Sequence, residues 1–178
     1  HDAVAGGYWR NAGSRGLFGG GDNDGAKNII DFITIASTGN AADFGDLSVA
    51  RYETGCVGTF TRSIWGGGTG VSNVIDYVNP QSTGDATDFG NLTVARHKTN
   101  LGASNSSCSS SSTRAVLNGG YAGGAVSTLT FITMASQGNS IDFGDKTEAS
   151  DSCGGTSNSV RAITAGGGTS TVIDFYNI

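Results

Sequence analysis

The sequence predicts an all-β fold made of about four repeated, blade-like units. Three observations carry that reading. Four arginines, Arg15, Arg62, Arg114 and Arg161, each open a copy of one pattern, at steps of 47, 52 and 47 residues. Inside each copy the apolar residues alternate with a period of two, and no helical stripe with caps occurs. Glycine is abundant, 30 of 178 residues against a single proline, and it falls between the apolar runs.

Taken in order, each copy has the same parts. The opening Arg leads a short apolar run that ends in a glycine cluster: Gly19–Gly21, Gly66–Gly68, Gly119–Gly120 and Gly166–Gly168. Alternating runs follow around Asp31, Asp76, Thr130 and Asp174, rich in the Val, Ile, Phe and Thr that suit a half-buried pleated surface. Thr38–Asn40, Thr83–Asp85 and Gln137–Asn139 then read as turns, with Gly supplying positive φ. Asp43-Phe44-Gly45, Asp88-Phe89-Gly90 and Asp142-Phe143-Gly144 lie twelve residues after the aligned Asp or Thr, and Arg51, Arg96 and Ser150 lie eight further on. Fixed spacing marks paired strands joined by a set turn, whereas variable spacing marks surface loops. Four strands per copy are expected: before the glycines, at the Ile-Asp-aromatic run, around Leu92–Arg96, and before the next opening Arg. The Phe of each Asp-Phe-Gly reads as core and its Gly as a turn or bulge, with the Asp accepting backbone hydrogen bonds.

A four-stranded repeat of this size matches a blade of a small β-propeller. Residues 1–178 read as one repeat domain. Asp2–Gly6 align with Leu47–Arg51, so the N-terminal strand is expected to complete the last blade, which stops after Val172–Ile178. Closure would remove an exposed sheet edge. A β-trefoil-like or prism fold, or a ring joined between chains, also fits a three- to four-copy pattern.

The net charge of −5 argues against a nucleic acid partner, which needs a basic face. No apolar run approaches the roughly eighteen residues of a membrane span. Asn100–Ser112, rich in serine, coincides with the longer step and reads as an extended loop. Cys56, Cys108 and Cys153 are an odd set without a Cys-x-x-Cys pair, so they read as small buried residues and not as a disulfide framework or zinc site.

No cofactor, metal centre or catalytic set is expected. The Asp-Phe-Gly triplets lack the other motifs of a kinase, and the glycine clusters lack the Lys-Ser/Thr of a phosphate loop. Asp22-Asn23-Asp24-Gly25 resembles the start of a calcium loop but lacks the downstream Glu, so Asp22 and Asp24 are a calcium candidate set against an ordinary polar turn. His1 and His97 could form a copper brace only by converging. Carboxylate pairs such as Asp22/Asp24 and Asp43/Asp46 lie in turn-like contexts, and nothing marks a glycosidase acid. Aromatic rings stack on sugar faces, and Trp9, Tyr52 and Tyr121, beside loops, are the ligand-binding candidates together with Asp22 and Asp24. Trp65 aligns with Phe18 and Leu117 and reads as core.

Gly66-Gly67, Ile75-Asp76-Tyr77 and Leu92-Thr93-Val94-Ala95-Arg96 follow one another in the order that resembles kelch-like β-propeller repeats. The fuller wording of the copies is similar to repeats in tail fibres and structural proteins of phages, notably those of cyanobacteria. That resemblance implies a non-enzymatic virion or extracellular appendage module. Its partners would be a host-surface glycan or another virion protein, with self-association open to it. A secreted multivalent lectin is the alternative, followed by a glycosidase or copper-dependent polysaccharide oxidase.

Overall fold

The computed structural model describes residues 14–98, 109–110, 113–158 and 160–178. These residues are all-β, without a helix, and form four antiparallel sheets. The first sheet holds β1 (Arg15–Gly19), β2 (Ile29–Thr34) and β3 (Ala42–Asp46). The second holds β4 (Gly55–Gly58), β5 (Ser63–Gly66), β6 (Val74–Val78) and β7 (Thr87–Asn91). The third holds β8 (Ser109–Ser110), β9 (Arg114–Asn118), β10 (Thr128–Thr133) and β11 (Ile141–Asp145). The fourth holds β12 (Gly154–Ser157), β13 (Arg161–Ala165) and β14 (Ile173–Asn177). Each sheet is a meander whose strands neighbour in chain order, but the sheets are offset from the sequence copies: the strand before each of Arg62, Arg114 and Arg161 pairs with the strand that the Arg opens, so it begins the next sheet instead of ending its own. No strand pairing joins the first sheet to the last among the described residues. The N-terminal strand expected to complete the last blade, Asp2–Gly6, lies outside them.

Three of the four expected strand positions are occupied as read, and one moves. Leu92–Arg96 is not a strand: Leu92 is buried and Thr93–Val94 bend away. The strand is the Asp-Phe-Gly segment itself. Its register explains why. Ile30 faces Gly45 and Asp31 faces Asp43, so Phe44 is an extra residue, a β-bulge. The same shift recurs at Ile75/Asp76 and Leu129/Thr130. The bulge turns Phe44 and Phe89 inward, each 2% exposed. Asp43, Asp88 and Asp142 are exposed strand residues, and the backbone bonds expected of them are made from the turns instead. Asp85 Oδ1 accepts from the Asp46 amide at 3.0 Å and Asn139 Oδ1 from the Asn91 amide at 2.9 Å.

The core lies between sheets. Ile30, Phe44 and Leu47 of the first repeat enclose Trp65 of the second, together with Val78. Val57, Ile64, Ile75, Phe89 and Leu92 pack on Ala115, Leu117, Ile132 and Met134 of the third. Within each sheet the opening Arg stacks on the aromatic of the next strand: Arg15 on Phe32, Arg62 on Tyr77, Arg114 on Phe131 and Arg161 on Phe175. Edge-on ring pairs, Phe32–Phe44, Tyr77–Phe89 and Phe131–Phe143, tie the second strand to the bulged one.

Candidate functional site: the seams between repeats

Successive repeats meet through one recurring set of contacts, and it is built from parts that the sequence holds at fixed spacing. After the bulged strand the backbone stays tied to its own repeat, the Leu47 and Arg51 amides donating to the Asn28 and Lys27 carbonyls, while its polar groups reach across to the next sheet. In the first seam Ser48 donates from its amide and its hydroxyl to Asp76, at 3.2 and 2.7 Å. The Arg51 side chain then enters the second repeat. Its Nη1 donates to the Gly67 and Val74 carbonyls at 3.1 and 2.9 Å, and its Nη2 to Asp76 Oδ2 at 2.7 Å. Both side chains are 0% exposed. Burial holds the Arg51 guanidinium below its usual range, and the Asp76 carboxylate pulls it part of the way back.

The second seam repeats the geometry with one change. Arg96 Nη1 donates to the Gly119 and Thr128 carbonyls at 3.1 and 2.9 Å, and Nη2 to the Thr130 hydroxyl, which stands where Asp76 stood. This cation is fully buried against neutral oxygens, and burial lowers it to about 10. The third seam changes more. Ser150 occupies the Arg position, and Lys146 occupies the position of Leu47 and Leu92. Lys146 Nζ donates to the Ser150 carbonyl at 3.0 Å, to the Ser150 hydroxyl, and to Cys153 Sγ at 3.2 Å. Thr147, the counterpart of Ser48, donates its hydroxyl to Asp174 at 2.7 Å.

Two further contacts complete each of the first two seams. The Gly84 amide donates to the Phe44 carbonyl and the Gly138 amide to the Phe89 carbonyl, both at 2.8 Å. The approach is close enough that a Cβ on Gly45 would lie 2.5 Å from the Gly84 carbonyl carbon. The opening arginines also cross: Arg15 Nη1 donates to the Pro80 carbonyl at 3.1 Å and Arg62 Nη1 to the equivalent Met134 carbonyl at 2.8 Å.

On the surface, the seams differ. At the second, His97 and Tyr121 exchange backbone hydrogen bonds of 3.1 and 2.8 Å, their rings lie 5.2 Å apart, and Lys98 Nζ sits 5.7 Å from the Tyr121 ring centre. Glu53 arrives from the first repeat, and its carboxylate is 2.6 Å from His97 Nδ1. The result is a half-buried aromatic ring beside a cation, an imidazole and a carboxylate. At the first seam the position of Tyr121 is held by Thr69, whose amide and hydroxyl donate to the Tyr52 carbonyl at 2.9 and 3.0 Å.

The sequence-predicted residues are therefore not brought together. Tyr52 and Tyr121 are half-buried at different seams. Asp22 and Asp24 lie in an exposed turn of the first repeat, where Asp22 Oδ1 accepts the Gly25 amide at 3.1 Å and Asp24 takes φ 55°. No group of three or more metal-ligating side chains occurs among the described residues. Trp9, His1 and Cys108 lie outside those residues. Trp65 is core, 2% exposed, while its counterpart Phe18 is 60% exposed. Cys56 and Cys153 are free thiols, and burial pushes the Cys56 thiol up. Among the described residues no helix is long and apolar enough to cross a membrane. Sequence reasoning gave no site role to Arg51, Arg96, Lys146, Glu53 and Lys98, and named His97 only as a copper partner of His1. For the first two the signal was present, as an arginine eight residues beyond every Asp-Phe-Gly but one.

Compared with known proteins, the chain matches no family model and no curated protein.

Proposed function

We propose that the chain is a non-enzymatic structural or adhesion module of a virion or extracellular appendage, built on kelch-like propeller blades. Its partner would be a host-surface glycan or another virion protein. The observation that carries this reading is the way each repeat is locked into the next. A buried side chain, a crossing arginine and a turn-to-strand bond recur at the first two seams. Such an array resists bending and holds its outer loops at fixed separations, which is what a displayed scaffold requires.

The favoured contact point is the second seam, where Tyr121 offers a ring face and Glu53, His97 and Lys98 offer hydrogen-bonding groups to sugar hydroxyls. Thr69 at the equivalent place in the first seam has no ring to stack. That inequality favours one principal site over the equivalent sites of a multivalent lectin. The test is binding of the purified chain to a broad glycan panel, with wild type and Tyr121→Ala side by side. Saturable binding to one glycan class, weakened at least about tenfold in the variant, supports adhesion through this seam. Binding that Tyr121→Ala leaves unchanged removes this seam from the reading. No binding at high micromolar concentration leaves a structural role with a protein partner.

A further inference from the structure

We propose that the two outer faces of the array bind each other between copies of this chain, head to tail. The argument starts from the polarity of the seams. Every seam joins a donating face of one repeat to a receiving face of the next, and the same positions recur on each side.

On the receiving side, Trp65 and Leu117 are 2% and 1% exposed, each covered by the repeat before it, and Thr164 is 3% exposed. Phe18 holds that position in the first repeat and is 60% exposed. Asp31 corresponds to Asp76, yet it is exposed where Asp76 is fully buried. Ile35, whose carbonyl corresponds to those of Pro80 and Met134 that accept the crossing arginines, is 61% exposed.

The donating side of the fourth repeat mirrors this. Ile173 corresponds to Ile30, Ile75 and Leu129, which are 0%, 1% and 3% exposed, but Ile173 itself is 70% exposed. Phe175 is 66% exposed, while its counterparts Phe32, Tyr77 and Phe131 are half-buried. Ile163 is 39% exposed where Ile64 and Val116 are 0%. Arg161 stacks on Phe175 as Arg15 and Arg62 stack on their own aromatics. It is therefore poised to donate to the Ile35 carbonyl as they donate to Pro80 and Met134.

One face thus presents Phe18, Asp31 and the Ile35 carbonyl, and the other presents Ile163, Ile173, Phe175 and Arg161. These are the halves of a seam that the chain already forms within itself, so a second copy is the partner whose shape and polarity are given. Joining unlike faces is a heterologous contact, which grows into a ring or a filament. The inference stands whether or not the Tyr121 seam binds a glycan.

The test uses the 178-residue chain, Phe18→Glu, Phe175→Glu and their equal mixture, in sedimentation velocity across a wide concentration range. Both substituted residues are exposed, and circular dichroism checks that each variant folds. Wild type is expected to grow with concentration. Each variant alone has one spoiled face, and its self-association weakens at least about tenfold. The mixture pairs the intact receiving face of Phe175→Glu with the intact donating face of Phe18→Glu, giving a one-to-one dimer that grows no further. Three results overturn the proposal: a wild type that stays monomeric throughout, as it would if the faces closed on each other within one chain; a single variant that associates like wild type; or a mixture that remains monomeric.

Discussion

The first and second seams perform the same task with different chemistry. In the first, a buried arginine meets a buried carboxylate; in the second, the same arginine position meets a threonine hydroxyl. Both guanidiniums keep two carbonyl acceptors at nearly identical distances. The slot is thus specified by backbone, and the side chain across from it decides only how much of the buried charge is compensated. Geometry and electrostatics separate here, which lets each be perturbed alone.

The largest effect is expected from Arg51→Leu. It strands Asp76, 0% exposed, without its cation, and breaking a buried pair from one side costs about 3–5 kcal/mol. Arg96→Leu strands no charge and leaves only neutral acceptors short of donors, so it should cost less, about 1–3 kcal/mol. Urea unfolding of the two variants measures the comparison. Equal losses would mean that the Asp76 carboxylate contributes nothing beyond what a hydroxyl does.

Backbone approach gives the next contrast. Gly45 and Gly90 have φ 144° and 145° and face the incoming turns of the following repeats, whereas Gly144, φ 129°, has nothing within 4 Å of a built Cβ. Substitution by Ala strains the backbone at all three positions by about 1 kcal/mol. At Gly45 and Gly90 the new methyl also meets the turn backbone, so about 2–3 kcal/mol is expected there. A uniform loss across the three variants would show that conformation, and not the seam, fixes these glycines.

The third seam tests whether the slot can be refitted. Lys146 has moved its charge from the Leu position into the space beside Ser150, and Asp174 still waits across the seam. Lys146→Leu alone removes the donor to Ser150, and Ser150→Arg alone crowds two cations into one place. Together they restore the residues of the first seam. The double variant should therefore be more stable than the two single losses predict, by about 1–3 kcal/mol of coupling. Additive losses would indicate that the third seam follows a different backbone path.

Much of this was legible in the sequence, and the boundary is physical. Period-two alternation around Ile30 and Ile75 marked strands because one face of each is buried. The fixed twelve-residue step marked the pairing of β2 with β3 and β6 with β7. The strand expected at Leu92–Arg96 was misplaced because apolar Leu92 and Val94 imitate strand alternation, while the pairing with β6 passes through the bulge at Phe89 and ends at Asn91. The arginine slot was marked by its spacing but not by its role, for another reason. A recurrent Arg normally reads as solvated, and only three dimensions show that its side chain crosses to the neighbouring repeat. The Tyr121 seam was half legible: the ring was named, but Glu53, His97 and Lys98 come from two other loops that nothing in the spacing joins.

The smallest expected effect is also the sharpest test of the opening contrast. Thr130→Asp gives Arg96 the carboxylate that Arg51 has. An ion pair in place of a cation–hydroxyl bond should stabilise by about 1–2 kcal/mol near neutral pH. The pH dependence carries the mechanism. In the wild type, burial lowers Arg96 to about 10, below the value of the unfolded chain. Below that point both states hold the proton and the full cost of burying the charge is present. As pH rises through about 10, the folded state sheds the proton first, and this contribution to stability increases with pH. The variant keeps less of that gain, because the carboxylate pulls the arginine part of the way back, as Asp76 does for Arg51. Its advantage over wild type should therefore be constant up to about pH 9 and shrink above pH 10, as read by the difference in urea midpoints. A constant advantage across that range would mean that Arg96 stays protonated on neutral oxygens alone, and that the backbone slot by itself is enough to hold a buried charge.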